Sequence, residues 1–190
     1  AITMAKGKKR EDLVPLVRFL IEPPQSEPLK ALTLFTEDEA KTYQPLLLNY
    51  LTALTMLGRN SDLERLVADP KVNSILSRSI STFFRAHLAY VLKKTPEETR
   101  AALIVAKNAA DIEHQSESLE RIAKYSEDRG HNDIAEEAYR AVAINPKTDR
   151  VGYQGLIRTT ELNGNTEGLI AAATEAVRRW PDDGNYLEHY

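Results

Sequence analysis

The sequence predicts an all-α fold built from repeated helical hairpins, and three observations support this prediction. Apolar residues recur three and four positions apart over most of the chain, whereas the alternating patterns typical of strands stay short. Helix starts and stops are marked by capping residues, glycines and prolines. The pattern repeats every 34 to 36 residues, which is the length of one helical hairpin.

Composition limits the classes of function. The 190 residues are 42% hydrophobic and 28% charged, which is typical of an ordered protein with a sizeable core. A net charge of -3 disfavours nucleic acid as a partner, because that affinity comes chiefly from clustered lysine and arginine. No stretch approaches the roughly 18 apolar residues of a membrane span, and residues 1–10 lack the apolar run of a signal peptide. The absence of cysteine excludes disulfides and thiolate metal sites and leaves the compartment open.

Short local sequence signals mark the helix boundaries. Thr95 precedes Pro96 and lies three residues before Glu98, and Ser61 lies three residues before Glu64, so both segments have the spacing of a capping box. Three glycines follow helical stretches, where a left-handed residue can close the last turn: Gly58, Gly130 and Gly164. Two prolines stand where a helix cannot continue: Pro146 and Pro181.

Alignment on the residue that opens each first helix defines the repeat. These anchors are separated by 36, 36, 34 and 34 residues: Leu47, Phe83, Leu119, Tyr153 and Leu187. Eleven residues after each of the first four anchors, polar surroundings predict the turn of a hairpin, at Gly58, Lys94, Gly130 and Gly164. The second helices carry a matching stripe of apolar and small residues, which lets helices approach closely: Leu63, Val67, Leu103, Ala106, Ala135, Tyr139, Val142, Leu169, Ala173 and Ala176.

This combination of period, turn glycine, small-residue stripe and closing proline resembles the tetratricopeptide repeat (TPR) family. The resemblance covers about residues 44–190, with the best repeats near 116–149 and 150–183, and implies a right-handed α-α superhelix, a solenoid of antiparallel hairpins. Before residue 44 the pattern is irregular, with a helix expected over Glu11–Ile21 and a short one around Leu29–Phe35. We interpret residues 1–190 as one array excised from a longer protein, because the apolar pattern is already running at Ile2.

The resemblance also implies where a partner would bind. In such arrays the first helices line a concave groove, which here would be formed by Asn49, Thr52, Phe84, Arg85, Leu88, Arg121, Lys124, Gln154 and Arg158. One TPR subfamily grips a C-terminal carboxylate, and Asn49 and Arg85 match two positions of that clamp, whereas Ser81 stands where a lysine is needed. The sequence therefore predicts a protein or peptide partner, with an acidic group and apolar neighbours.

Signals for chemistry are missing from the sequence. The four histidines are not paired at metal-ligand spacing, and acidic pairs such as Glu136-Glu137 are typical of solvated helix faces. The segment from Gly152 to Gly155 lacks the lysine and the preceding strand of a phosphate-binding loop. We therefore expect no catalytic, cofactor-binding or metal-binding residues and no enzyme activity. The alternatives are a self-association module that forms a homo-oligomer, or an accessory domain of a larger enzyme or membrane assembly.

Overall fold

The structure is a computed structural model that describes residues 14–21 and 27–187, and within these ranges every regular element is a helix. The first seven helices are α1 (Val14–Ile21), α2 (Pro28–Leu34), α3 (Glu37–Ala40), α4 (Gln44–Met56), α5 (Asn60–Ala68), α6 (Pro70–Ile75) and α7 (Arg78–Val91). The others are α8 (Pro96–Ile112), α9 (Ser116–Glu127), α10 (Asn132–Val142), α11 (Asp149–Leu162), α12 (Thr166–Arg179) and α13 (Gly184–Leu187). The all-α prediction is confirmed for this part of the chain. No helix in it is long and apolar enough to cross a membrane.

The chain folds into two compact units. The first unit contains the described residues of Ala1–Ser77 together with Tyr90–Lys93, and the second contains Arg78–Ala89 with the described residues of Lys94–Tyr190. The single array over residues 1–190 stays a prediction.

The first unit is built around Phe35. Its ring lies 6.4 Å from the ring of Phe19 on α1 and 6.3 Å from that of Tyr50 on α4, between centroids, and its side chain is buried with those of Ala40 and Leu46. Helix α4 packs against α1, α2, α3 and α5. The short helix expected near residues 29–35 is present as α2. The helix expected over residues 11–21 is described from Val14 onward, and its start lies outside the described residues.

Two capping boxes were predicted, and one of them is present. The amide of Glu98 donates to Thr95 Oγ1 at 3.2 Å, and the amide of Thr95 donates to Glu98 Oε2 at 3.0 Å, so α8 begins as expected. The box at Ser61 is wrong, because α5 already begins at Asn60 and no side chain caps it. The helix starts directly after the turn at Gly58, which leaves Ser61 inside its first turn.

The second unit consists of helices that pack against their neighbours in the chain. Helix α9 packs against α8 and α10, and α11 packs against α10 and α12. Fully buried alanines recur at these contacts, which allows close approach of the helix backbones: Ala106, Ala110, Ala123, Ala135, Ala138, Ala173 and Ala176. The second-helix stripe predicted from the sequence is therefore largely buried, and Leu169, at the start of α12, is its half-buried end.

Five turns in the described part of the chain share one hydrogen-bond pattern, the 6→1 bond of the Schellman motif. In each, the amide after a left-handed residue donates to the carbonyl five positions earlier, for example from His131 to Ser126 at 2.9 Å. The left-handed residues are Gly58 (φ 65°), Lys93 (φ 53°), His114 (φ 52°), Gly130 (φ 77°) and Gly164 (φ 67°). The turn expected at Lys94 is thus closed one residue earlier. The turn at His114 was not predicted, because it carries no glycine.

Candidate interaction surface

Helices α7, α9 and α11 are the predicted first helices of the second unit, and side-chain contacts join them in a row. Tyr125 of α9 makes the contact with α7: its ring centroid lies 5.3 Å from that of Phe83, edge to face, and its hydroxyl is 3.0 Å from His87 Nδ1. Arg121 reaches the same neighbour, with its guanidinium carbon 5.8 Å from the centre of the Phe83 ring. An aromatic cluster therefore fixes α9 beside α7.

An ion pair and a buried phenol join α9 to α11. Arg158 on α11 donates from Nε and Nη2 to the two carboxylate oxygens of Glu127 on α9, the second contact at 2.7 Å. The hydroxyl of Tyr139, from α10, donates to Glu127 at 3.1 Å and accepts from Arg158 at 3.2 Å. The hydrogen bonds from Arg158 lower the pKa of the Glu127 carboxyl group, and burial raises the pKa of the Tyr139 phenol. Three helices thus meet at one satisfied polar cluster.

Two glycines bring α11 against α10. A Cβ atom on Gly155 would lie 2.5 Å from Cγ of the Tyr139 ring, and one on Gly152 would lie 2.9 Å from Cβ of Ala143 and collide with its backbone. Gly152 and Gly155 therefore allow close packing of α11 against α10.

A buried carboxylate anchors the next turn. Glu136 on α10 is buried, accepts from the side-chain amides of Asn163 at 2.7 Å and Asn165 at 3.0 Å, and pairs with Arg140 at 2.7 Å. The expectation that Glu136 lies on a solvated face is wrong for this residue, because the polar turn between α11 and α12 folds over it. Its neighbour Glu137 is exposed and pairs with Lys107.

Five of the nine residues predicted to line the groove are exposed on α7, α9 and α11: Arg85, Arg121, Lys124, Gln154 and Arg158. We call these five residues the first-helix surface. Asn49 and Thr52 lie on α4 in the first unit, where Asn49 is half-buried and Thr52 is exposed and donates to the Leu48 carbonyl at 2.8 Å.

The two apolar groove residues need correction. Phe84 is 1% exposed and Leu88 is 7% exposed, so both belong to the packed interior rather than to a surface that a partner can reach. The hydrophobic effect explains this, because large apolar side chains on a helix are stabilised by leaving water. Ser81, in the slot of the clamp lysine, is buried as well.

Lys124 and Arg158 in the first-helix surface are paired with acids within the second unit. Lys124 Nζ lies 2.7 Å from the Glu120 carboxylate one helical turn away, and Arg158 is held by Glu127. The exposed Lys124–Glu120 pair is worth little to stability, so Lys124 can exchange its partner at small cost, whereas the Glu127–Arg158 pair is fixed by Tyr139. Arg121 instead lies over the Phe83 ring.

In residues 14–21 and 27–187, no group of three or more histidine, cysteine, aspartate or glutamate side chains is arranged to hold a metal ion. His87 is 7% exposed; its Nδ1 atom lies 3.0 Å from the Tyr125 hydroxyl, and its Nε2 atom has no hydrogen-bond partner in the described residues. Comparison of the chain with protein-family models, with curated proteins and with solved structures finds no match.

Proposed function

We propose that the chain is a protein-interaction module with a TPR-like architecture that binds a protein or peptide across the first-helix surface. The observation that carries the proposal is the row of α7, α9 and α11, joined through Tyr125 and through the Glu127–Arg158 pair, with exposed polar side chains on all three helices. The recurring Schellman turns and the alanine-rich helix contacts support the repeat architecture.

Rigidity of this surface supports a binding role. The side chains around it are fixed by ring contacts and hydrogen bonds before any partner arrives, so binding costs little ordering of the protein. A preorganised row of helices can therefore hold an extended segment, which would contact each helix in turn.

The charges indicate the chemistry of the partner. The first-helix surface carries four cations, of which Lys124 pairs with Glu120 and Arg158 with Glu127, both acids of α9. An acidic segment could pair with Arg121, whose guanidinium group lies over the Phe83 ring. Phe84 and Leu88 are buried, so these two residues of α7 cannot contact an apolar part of the predicted partner. We therefore expect affinity to depend mainly on charge and hydrogen bonds.

Site-specific photo-crosslinking tests the proposal. A photoreactive amino acid at Lys124 or Gln154 should capture the same protein from a native extract, whereas one at Glu137, exposed on the second helix α10, should not. The captured protein is then titrated with Arg121→Ala and Lys124→Ala, and with Arg178→Ala as the control on α12. We expect each first-helix variant to lose about tenfold in affinity, which is about 1.4 kcal/mol, and the loss to shrink at high salt.

The opposite pattern would exclude this surface. Capture from Glu137 alone, or an affinity that neither Arg121→Ala nor Lys124→Ala changes, would mean that partners bind elsewhere on the chain.

A further inference from the structure

We infer that a different surface of the second unit joins two copies of this chain, with Ile144 of each copy inserted into a hollow of the other. This inference is independent of the first-helix surface, because it uses none of those five residues. It rests on a hollow, an exposed side chain beside it, and the geometry that connects them.

The hollow lies where the end of α8, the start of α9 and the end of α10 meet. It has a volume of about 150 Å³, which is the size of one large apolar side chain, and it is lined by Asp111, His114, Ser116, Leu119, Ala141, Ile144 and Asn145. Leu119 and Ala141 supply apolar walls, and the remaining residues apart from Ile144 form a polar rim. An apolar centre with a polar rim is the arrangement found at the energetic centre of protein interfaces.

Ile144 is the exposed side chain. It is 80% exposed, although it is among the most apolar residue types, and it follows α10 in the loop that leads to α11. That loop is firmly held: Asn145 donates to Ser116 Oγ at 2.7 Å, and Thr148 donates to the Val142 carbonyl at 3.1 Å. Ile144 is therefore presented in a fixed position, so little conformational freedom is lost when it is buried.

The arrangement favours a second copy as the occupant. Ile144 itself lines the hollow, so the projecting side chain and the cavity that fits one are adjacent on the same surface. A two-fold axis beside them would place each Ile144 in the opposite hollow, which is the self-complementary contact of a symmetric dimer. The rim contributes both a carboxylate, that of Asp111, and an imidazole, that of His114, which the same axis can bring face to face.

Light scattering at increasing concentration is the first test. We expect the unmodified chain to form dimers, and both Ile144→Asp, which removes the projecting side chain, and Ala141→Leu, which fills the hollow, to weaken them at least tenfold. Ile170→Asp is the matched control, since Ile170 is also exposed but lies on α12. Each variant is checked by thermal unfolding, because a loss of dimer counts only in a folded chain.

Disulfide trapping is the second test. Because the chain contains no cysteine, only the introduced cysteines can form a disulfide. A mixture of Ile144→Cys and Ala141→Cys chains should form a mixed disulfide under mild oxidation, because a side chain in the opposite hollow meets the narrow distance that the bond requires. Ile170→Cys mixed with Ala141→Cys should not form one. The two variants carry tags that differ from each other, so the mixed product can be identified on a non-reducing gel.

Three results would overturn the inference. The test detects dimers with a dissociation constant of up to about 1 mM. If the chain is still monomeric at that concentration, this dimer does not form. A dimer that Ile144→Asp leaves unchanged uses another surface. A dimer in which Ile144→Cys and Ala141→Cys do not cross-link lacks the exchange of side chains.

Discussion

The ring of Tyr139 lies where a side chain on Gly155 would have to be. A Cβ atom on Gly155 would come within 2.5 Å of Cγ of that ring, so the α10–α11 contact combines one large aromatic residue with one residue that has no side chain. The phenol at the far end of the ring is held by Glu127 and Arg158. One residue therefore packs two helices together and joins a third to them.

Replacing Tyr139 with alanine should destabilise the second unit by about 3–5 kcal/mol, because the side chain is 1% exposed and its loss leaves a large cavity. Tyr139→Phe keeps the ring and should cost only about 1 kcal/mol, the value of its hydroxyl contacts with Glu127 and Arg158. Chemical denaturation of the three proteins measures both differences. Equal stability of Tyr139→Ala and the unmodified chain would mean that the ring is not a core element.

The glycines of α11 give the reciprocal test. Gly155→Ala should destabilise by about 1–3 kcal/mol despite the higher helix propensity of alanine, because the Tyr139 ring cannot give way easily. Gly152→Ala should cost at least as much, since the atoms in its way include the backbone of Ala143. Gly184→Ala is the control, because open space surrounds that position. Stabilisation by Gly155→Ala, as propensity alone predicts, would contradict the close packing.

Local signals explain which parts of the structure could be predicted. Gly130 and Gly164 identify their turns because a glycine adopts the left-handed conformation at no steric cost, and Pro96 identifies the start of α8 because it needs no amide partner. The turn at His114 has no such signal, since its left-handed residue is held by hydrogen bonds of the backbone.

The burial of individual side chains was harder to predict than the helices, for a physical reason. Phe84 and Leu88 were assigned to the groove from their positions within the repeat. Their apolar character alone favours burial, and in the structure both are buried. Glu136 was expected in solvent because most glutamates are, but the amides of Asn163 and Asn165, distant in sequence, satisfy it in the interior. Hydrogen-bond partners that come together only in the folded chain have no fixed spacing in the sequence, so sequence patterns do not identify them.

The two non-glycine turns predict an unusual stabilising substitution. Lys93 and His114 have φ values of 53° and 52°, a conformation that costs a residue with a side chain about 1–2 kcal/mol. Lys93→Gly or His114→Gly relieves this strain, and the added freedom of the unfolded chain offsets part of the gain, so we expect about 0.5–1 kcal/mol of stabilisation. Gly130→Ala, at the equivalent position after α9, should destabilise instead. Thermal unfolding measures all three, and a loss of stability in both glycine variants would contradict the prediction.

His87 makes the stability of the second unit depend on pH. Burial, followed by the positive charge of Arg129, lowers the pKa of the imidazole below its usual 6.5 in the folded protein. The unfolded chain therefore takes up a proton at a higher pH than the folded chain does. This contribution to stability is fully present above pH 6.5, is lost as the pH falls from 6.5 to the lowered pKa, and changes no further below it.

His87→Gln should remove this dependence, because glutamine is neutral throughout and can still meet the Tyr125 hydroxyl that lies 3.0 Å from Nδ1. The measurement is the free energy of unfolding by denaturant at intervals between about pH 5 and pH 8, a range in which buried neutral histidines dominate the linkage. His131→Gln, which changes the histidine between α9 and α10, serves as the control and should keep the fall seen in the unmodified chain. If His87→Gln loses as much stability below pH 6.5 as the unmodified chain, the imidazole is protonated equally in both states, and its buried position carries no linkage.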